Sequence, residues 1–241
     1  MDGRLTVEDG TIADLLELLA RNGPALHWRG LALWLFARSK NGLGAAHHYD
    51  LSRALFDLFL DADKQYSCAF FESETDTLES AQMNKERRIA AKLALLPGQR
   101  VLDIGSGWGG LAVHLAKTHG VDVTGVTLST EQLRSSVDRA SGERLSESVR
   151  FRLEDYRRIE GRFDRIVSVG MLENVGVAAY ATYFSKLSSL LVHDGVALIH
   201  TIGQSGAPHV TNPWIAKYIF PGGHTPALSE LQPAIEASGL M

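Results

Sequence analysis

The sequence predicts an α/β fold, a mostly parallel twisted sheet with helices on both faces. Three observations carry this. From Lys85 onward, short apolar runs alternate with helical stripes. One run ends in a glycine-rich turn that opens directly into a helix: Val101-Leu102-Asp103-Ile104-Gly105-Ser106-Gly107-Trp108-Gly109-Gly110. The fifth run, Val196 to Ile202, follows an Asp194-Gly195 turn.

Taken in order, residues 1–45 differ in texture from the rest. Ile12, Leu15, Leu16 and Leu19 have the spacing of one helix face, and Leu26 to Phe36 is apolar with Trp28 and Trp34. Asn41-Gly42-Leu43-Gly44 reads as a break. The region is too small for a stable domain, so it packs on the core or belongs to a larger element. Residues 46–241 form the main domain. There Ile89, Leu93 and Leu96 make a helical stripe stopped by Pro97-Gly98. A strand over Arg100–Ile104, a helix over Leu111–Lys117 and a strand over Val121–Leu128 follow. Ser129-Thr130-Glu131-Gln132 is a capping-box start to the next helix. Strands over Val149–Leu153 and Phe163–Val169 then lead to a helix over Ala178–Leu190.

Composition narrows the function. The 241 residues are 45% hydrophobic and 22% charged, a globular profile. A net charge of -4 argues against non-specific nucleic-acid binding. The one cysteine, Cys68, allows no internal disulfide and points to a reducing compartment. No apolar run reaches the roughly 18 residues of a membrane-spanning helix, and the N-terminus lacks the order of a signal peptide. The expectation is a soluble, cytoplasmic protein, with peripheral membrane contact open. Lys85, Arg87, Arg88 and Lys92 read as a solvated helix face.

The glycine turn carries the chemistry. Glycines between a buried strand and a helix allow a tight turn and close approach of a ligand to the main chain. Gly105, Gly107 and Gly110 also fit a dinucleotide pattern, which by itself is weak evidence. Asp103, two residues before the first glycine, favours S-adenosylmethionine: a carboxylate suits its ammonium and sulfonium and repels a pyrophosphate. The acidic-x-Gly-x-Gly-x-Gly form resembles the first motif of class I methyltransferases, which are Rossmann-like. The second strand ends Val126-Thr127-Leu128-Ser129, without the ribose-binding acidic residue of dinucleotide folds. Thr127 and Gln132 are left as candidates to hold the ribose.

Several segments together resemble the cyclopropane-fatty-acyl-phospholipid synthase family, which includes the mycolic acid cyclopropane synthases. They are His48-Tyr49-Asp50-Leu51-Ser52, Tyr66-Ser67-Cys68-Ala69-Phe70-Phe71, Leu78-Glu79-Ser80-Ala81-Gln82, the glycine turn, Glu154-Asp155-Tyr156-Arg157, Glu173-Asn174-Val175-Gly176, His200-Thr201-Ile202-Gly203 and Ile219-Phe220-Pro221-Gly222-Gly223. The order and spacing of these segments are specific. The resemblance implies transfer of the methyl of S-adenosylmethionine to a cis double bond of a phospholipid acyl chain, then loss of a proton from a carbocation to bound bicarbonate, closing a cyclopropane ring. It implies a bicarbonate site at Cys68, Glu173, His200 and Ile202. It implies a cofactor site at Tyr66, Ser67, Asp103, Gly105, Gly107, Gly109, Thr127, Leu128, Gln132 and Asp155. Phe70, Phe71, Trp214, Tyr218 and Phe220 are candidates to line an acyl channel. A metal is not implied; a homodimer is open.

Bland readings stand beside these. Cys68 alone is more often a small buried residue, His200 could be a core histidine, and the aromatics could be plain core. Glu173 is harder to dismiss, because a carboxylate among apolar residues is costly to bury without a partner. Against the family pattern, residues 1–45 look like the tail of an N-terminal domain, Asn174 stands where the family usually has His, and the last two strands of such a sheet are expected to be missing. The chain is thus expected to be a fragment, poorly stable and inactive alone. The competing functions are C- or N-methylation of another lipid or small molecule, and a non-catalytic cofactor-binding module.

Overall fold

The computed structural model describes residues 56–212, 214–220 and 222–241, together with Asp14. The predicted helices of residues 1–45, the His48–Ser52 segment and the Tyr218 side chain lie outside the described residues.

Five strands form one sheet in the order β3-β2-β1-β4-β5: β1 (Arg100–Ile104), β2 (Asp122–Thr127), β3 (Val149–Leu153), β4 (Phe163–Val169) and β5 (Leu191–His200). All neighbours pair in parallel. Strand order reverses beside β1, so the ends of β1, β2 and β4 open onto the crevice where such sheets bind ligands. Among the described residues β3 and β5 are the edges.

Among the described residues, five α-helices pack around the sheet: α1 (Leu78–Leu93), α2 (Gly110–His119), α3 (Thr130–Gly142), α4 (Tyr180–Leu190) and α5 (Leu228–Ala237). One core joins Ile89 and Leu93 of α1 with Leu111 and Leu115 of α2, Val101 and Val123. The other joins Leu102, Ile104 and Ile166 with Tyr183, Phe184 and Leu187 of α4 and Leu231 of α5. Two separate cores place helices on both faces, as the alternating pattern predicts. None of the described helices is long and apolar enough to cross a membrane.

Three local expectations change. The first helix stops at Leu93, before Pro97-Gly98, because Ala94 turns left-handed at φ 47°. Buried Arg165 on β4 takes up the freed carbonyls, its Nε donating to Leu93 O at 2.5 Å and Nη2 to Ala94 O at 3.2 Å. Strand β5 begins at Leu191 rather than Val196. Asp194-Gly195, expected as a turn, lies inside the strand, where the ladder to β4 shifts register, with Phe163 opposite Leu191 and Arg165 opposite Val196. At α3, Ser129 caps Gln132 N at 3.3 Å, but the Gln132 side chain meets Thr127 instead of closing the box.

Candidate active site

The β1 turn runs through left-handed Gly105 (φ 79°), Gly107 (φ 53°) and Gly109 (φ 82°). Gly105 N and Ser106 N both donate to Val126 O, at 2.9 and 3.0 Å, which ties the turn to the end of β2. The turn opens a cavity of about 690 Å³, within the size range of small-molecule sites.

Of the sequence-predicted cofactor residues, Tyr66, Ser67, Asp103, Gly105, Gly107, Thr127, Leu128, Gln132 and Asp155 line this cavity. Gly109 does not. It caps α2, and a Cβ there would lie 2.8 Å from the Phe151 ring and 2.9 Å from Ser136 Cβ, so its service is close packing. Thr127 Oγ1 donates to Gln132 Oε1 at 2.8 Å, making one polar unit at the end of β2. Asp155 is engaged by Arg157, whose Nε donates to Oδ1 at 2.9 Å; these bonds hold its carboxyl below the usual carboxylate range.

Asp103 is the electrostatic centre. It is 2% exposed, and its Oδ2 is buried with no hydrogen-bond partner among the described residues. Burial pushes its carboxyl up to about 7, against an opposing pull from Lys85. A ligand ammonium would meet the vacant acceptor and reverse that penalty.

A second polar group lies alongside. Glu173 sits in the single turn Leu172–Asn174 that follows β4, and His200 ends β5. Ile202 N donates to Glu173 Oε1 at 2.7 Å. Glu173 Oε2 and His200 Nδ1 are both buried without partners among the described residues. Burial lowers the His200 ring's affinity for a proton, an effect Lys85 adds to and Glu173 opposes. The two groups adjoin: Gly170 N donates to His200 O at 2.9 Å, while a Cβ on Gly170 would sit 3.6 Å from Ser67 Cβ. Met171, next but one to Glu173, packs against Gly105 closely enough that a Cβ there would lie 3.0 Å from its Cγ. Thus Glu173, His200 and Ile202 converge beside the turn. They and Cys68 stand outside the cavity's lining. Cys68 is exposed, contrary to its reading as a small buried residue.

The aromatic candidates divide. Tyr66 packs near Phe220 at 6.2 Å between ring centroids and edge-on to Phe56 at 5.4 Å. Phe71 and Trp214 are exposed, and Phe70 stacks under the Arg88 guanidinium at 4.0 Å.

One sequence reading is overturned. Arg87, Arg88 and Lys92 are exposed as expected, but Lys85 is buried. Its Nζ donates to Gln65 Oε1 at 2.7 Å and Ser67 Oγ at 2.8 Å. The signal was present: Ala81, Lys85, Ile89 and Leu93 are four apart, on the inner stripe of α1. Gln65, Trp108, Tyr156 and Met171 also line the cavity and were not anticipated.

A model of the family described as mycolic acid cyclopropane synthetase matches residues 38–241. The cyclopropane-fatty-acyl-phospholipid synthase of Escherichia coli (strain K12) is 46% identical over 194 residues, covering 80% of this chain and 50% of that protein. The chain thus spans about half the length of the curated relatives it first matches. The cyclopropane synthase MmaA2 from Mycobacterium tuberculosis superposes with TM-score 0.74 at 35% identity, covering 80% of this chain and 73% of that one. The mycolic acid cyclopropane synthase CmaA1, complexed with SAH and CTAB, gives TM-score 0.75 at 34% identity, with 83% and 75% covered.

Proposed function

The chain belongs to the mycolic acid cyclopropane synthetase family, and from that premise we propose that it carries the catalytic core of an enzyme that cyclopropanates unsaturated phospholipid acyl chains. The observation that carries this reading is the pair of buried atoms Glu173 Oε2 and His200 Nδ1, which have no partner among the described residues, beside the cavity. Methyl transfer to an alkene uses its π pair and leaves a carbocation that must lose a C–H proton to a positioned base; an ammonium formed from an amine loses its N–H proton to water and needs no such pair of groups.

The residues present fit S-adenosylmethionine. Asp103 Oδ2 offers an unused acceptor to its ammonium, and the glycine turn leaves room for its body. Bound there, the cofactor supplies an electrophilic methyl group on a sulfonium. Thr127 and Gln132 line the cavity and would hold the ribose, and Asp155 would meet the adenine.

The residues also fit bicarbonate, which supplies a base that takes a proton without capturing a cation. Ile202 N–H fixes Glu173 Oε1, so Oε2 is free to accept the anion's hydroxyl. His200, kept neutral by burial, offers Nδ1 to the same anion. Cys68 would contribute through its backbone. The net change on the lipid is addition of one carbon and two hydrogens across the double bond. We infer peripheral contact with a membrane from the substrate class alone, since such a substrate resides there.

Lipid mass spectrometry on cells expressing the protein tests this. Ring closure adds about 14 mass units with loss of the double bond; a saturated methyl branch adds about 16. A dominant methyl-branched product would replace cyclopropanation with C-methylation, and unchanged lipids would remove the acyl-chain substrate.

A further inference from the structure

Directly beneath the Tyr66–Cys68 segment lies a buried ammonium. Lys85 is 3% exposed, and both residues that accept its hydrogen bonds, Gln65 and Ser67, line the cavity. Gln65 in turn donates to Glu86 Oε1 at 2.9 Å and to Asp63 Oδ2 at 2.6 Å, and Arg139 pairs with Asp63. Gln82, one turn before Lys85, donates from Nε2 to Ser67 O at 2.9 Å and Gln65 O at 3.2 Å. The segment over the cofactor cavity is thus laced to the inner face of α1.

Burying an ammonium is expensive, and an apolar side chain of similar volume often serves a fold as well. The placement therefore points to the site. The charged and titratable groups facing Lys85 come from every element around it. Glu86 neighbours it on α1, Asp61 and Asp63 lie in the loop before, and Cys68 sits in the segment above. Asp103 at the end of β1 and His200 at the end of β5 complete the set.

We propose that Lys85 is the positioning residue of the methyl-donor cavity: it fixes the Tyr66–Cys68 segment through Ser67 and Gln65, and it sets a buried positive charge against the cavity wall, 2.8 Å from Ser67 Oγ. This rests on the cofactor reading given above. Burial brings Lys85 down to about 8, which leaves it largely cationic at neutral pH. Burial raises Asp103 to about 7, and the Lys85 charge limits that rise. Without the charge, Asp103 keeps its proton to higher pH and offers a cationic ligand less in that window. A purely structural role for Lys85 would lower affinity alike at all pH values.

Calorimetric titration of S-adenosylhomocysteine into the 241-residue chain between pH 6 and 7.5 separates the two, below the range near 8 in which Lys85 and Glu86 themselves titrate. Wild-type affinity is expected to climb through about pH 7. Lys85→Met is expected to bind about tenfold more weakly at pH 6 to 7 and to narrow that gap by pH 7.5, with the midpoint of the climb displaced upward. Lys85→Arg, which keeps the charge, is expected to hold the wild-type midpoint. Should the Met variant fail to fold, Lys85→Gln, which retains a donor toward Ser67, carries the same comparison. A charge-free variant whose profile runs parallel to wild type, weaker or not, overturns the proposal alone. A wild-type chain that binds no S-adenosylhomocysteine at any pH overturns the cofactor reading, and the proposal with it.

Discussion

The two rims of the cavity are built by opposite means. On the β1 side, one stretch of ten residues makes the wall from backbone: left-handed glycines, two amides on Val126 O and a single buried carboxylate. On the Lys64–Ser67 side, the wall is held from behind by charged and amide side chains gathered from α1, α2 and α3: Lys85, Gln82, Glu86, His114 and Arg139. The first wall tolerates only a narrow backbone; the second tolerates only a complete set of partners. A backbone wall fails by steric collision, and a side-chain wall fails by leaving a buried charge alone.

The contact that joins the walls should be the easiest place to break both. Gly110 opens α2, and a Cβ there would fall 1.9 Å from Asp63 Oδ2 and 2.6 Å from Gln65 Nε2. Gly110→Ala forces the Asp63 and Gln65 side chains to shift, which strains their bonds to Arg139 and Glu86. We expect a loss of about 3 kcal/mol, read as a lower urea midpoint. Unchanged stability would mean that the two walls are not in contact.

Asp103→Asn sharpens the contrast, because its effects on stability and binding have opposite signs. The folded carboxyl holds its proton to about pH 7, well above its ordinary 3.8. Its favourable contribution to folding is thus complete below about pH 4 and is lost as pH rises toward 7. The Asn variant loses this slope, so in the unliganded protein it should equal or exceed wild-type thermal stability at pH 8. Cofactor affinity should fall, by roughly tenfold to a hundredfold, since a charge-assisted partner is gone. Thermal melts and calorimetry at pH 6 and 8 check both signs.

Thr127→Val tests the quieter end of the β1 side. It removes the Thr127–Gln132 bond at 2.8 Å, and about 1 kcal/mol of stability should go with it, read as a small drop in Tm. The smallest effect is expected at Leu128, half exposed on the rim: Leu128→Ser should stay within about 0.5 kcal/mol of wild type by the same measurement.

The same contrast explains what the sequence made legible. The backbone-built wall announces itself locally: strand, Asp103, spaced glycines, helix. Strand positions β1 to β4 follow from apolar runs bounded by turns. The side-chain wall joins residues up to 76 positions apart, as Asp63 and Arg139 are, and no local pattern encodes that. Lys85 was read as solvated because charge outweighed its place on the apolar stripe; a complete set of buried partners made the opposite outcome possible. The start of β5 escapes the sequence pattern because Asp194-Gly195 lies within the strand, at an irregularity in its ladder to β4, and not in a turn before it. Glu173, His200 and Ile202 were grouped by family resemblance. In space, the parallel pairing of β4 with β5 sets Val169 opposite His200 and so brings the ends of both strands together.

The most direct test of the account is Glu173→Gln, with S-adenosylhomocysteine affinity and cyclopropane lipid formation measured on the same protein. Glu173 stands outside the cofactor cavity's lining, and its Oε2 has no partner among the described residues. The account predicts a loss of lipid product of about a hundredfold or more, with affinity within about twofold of wild type. Full product formation in the variant, or a collapse of affinity equal to the loss of product, would contradict it.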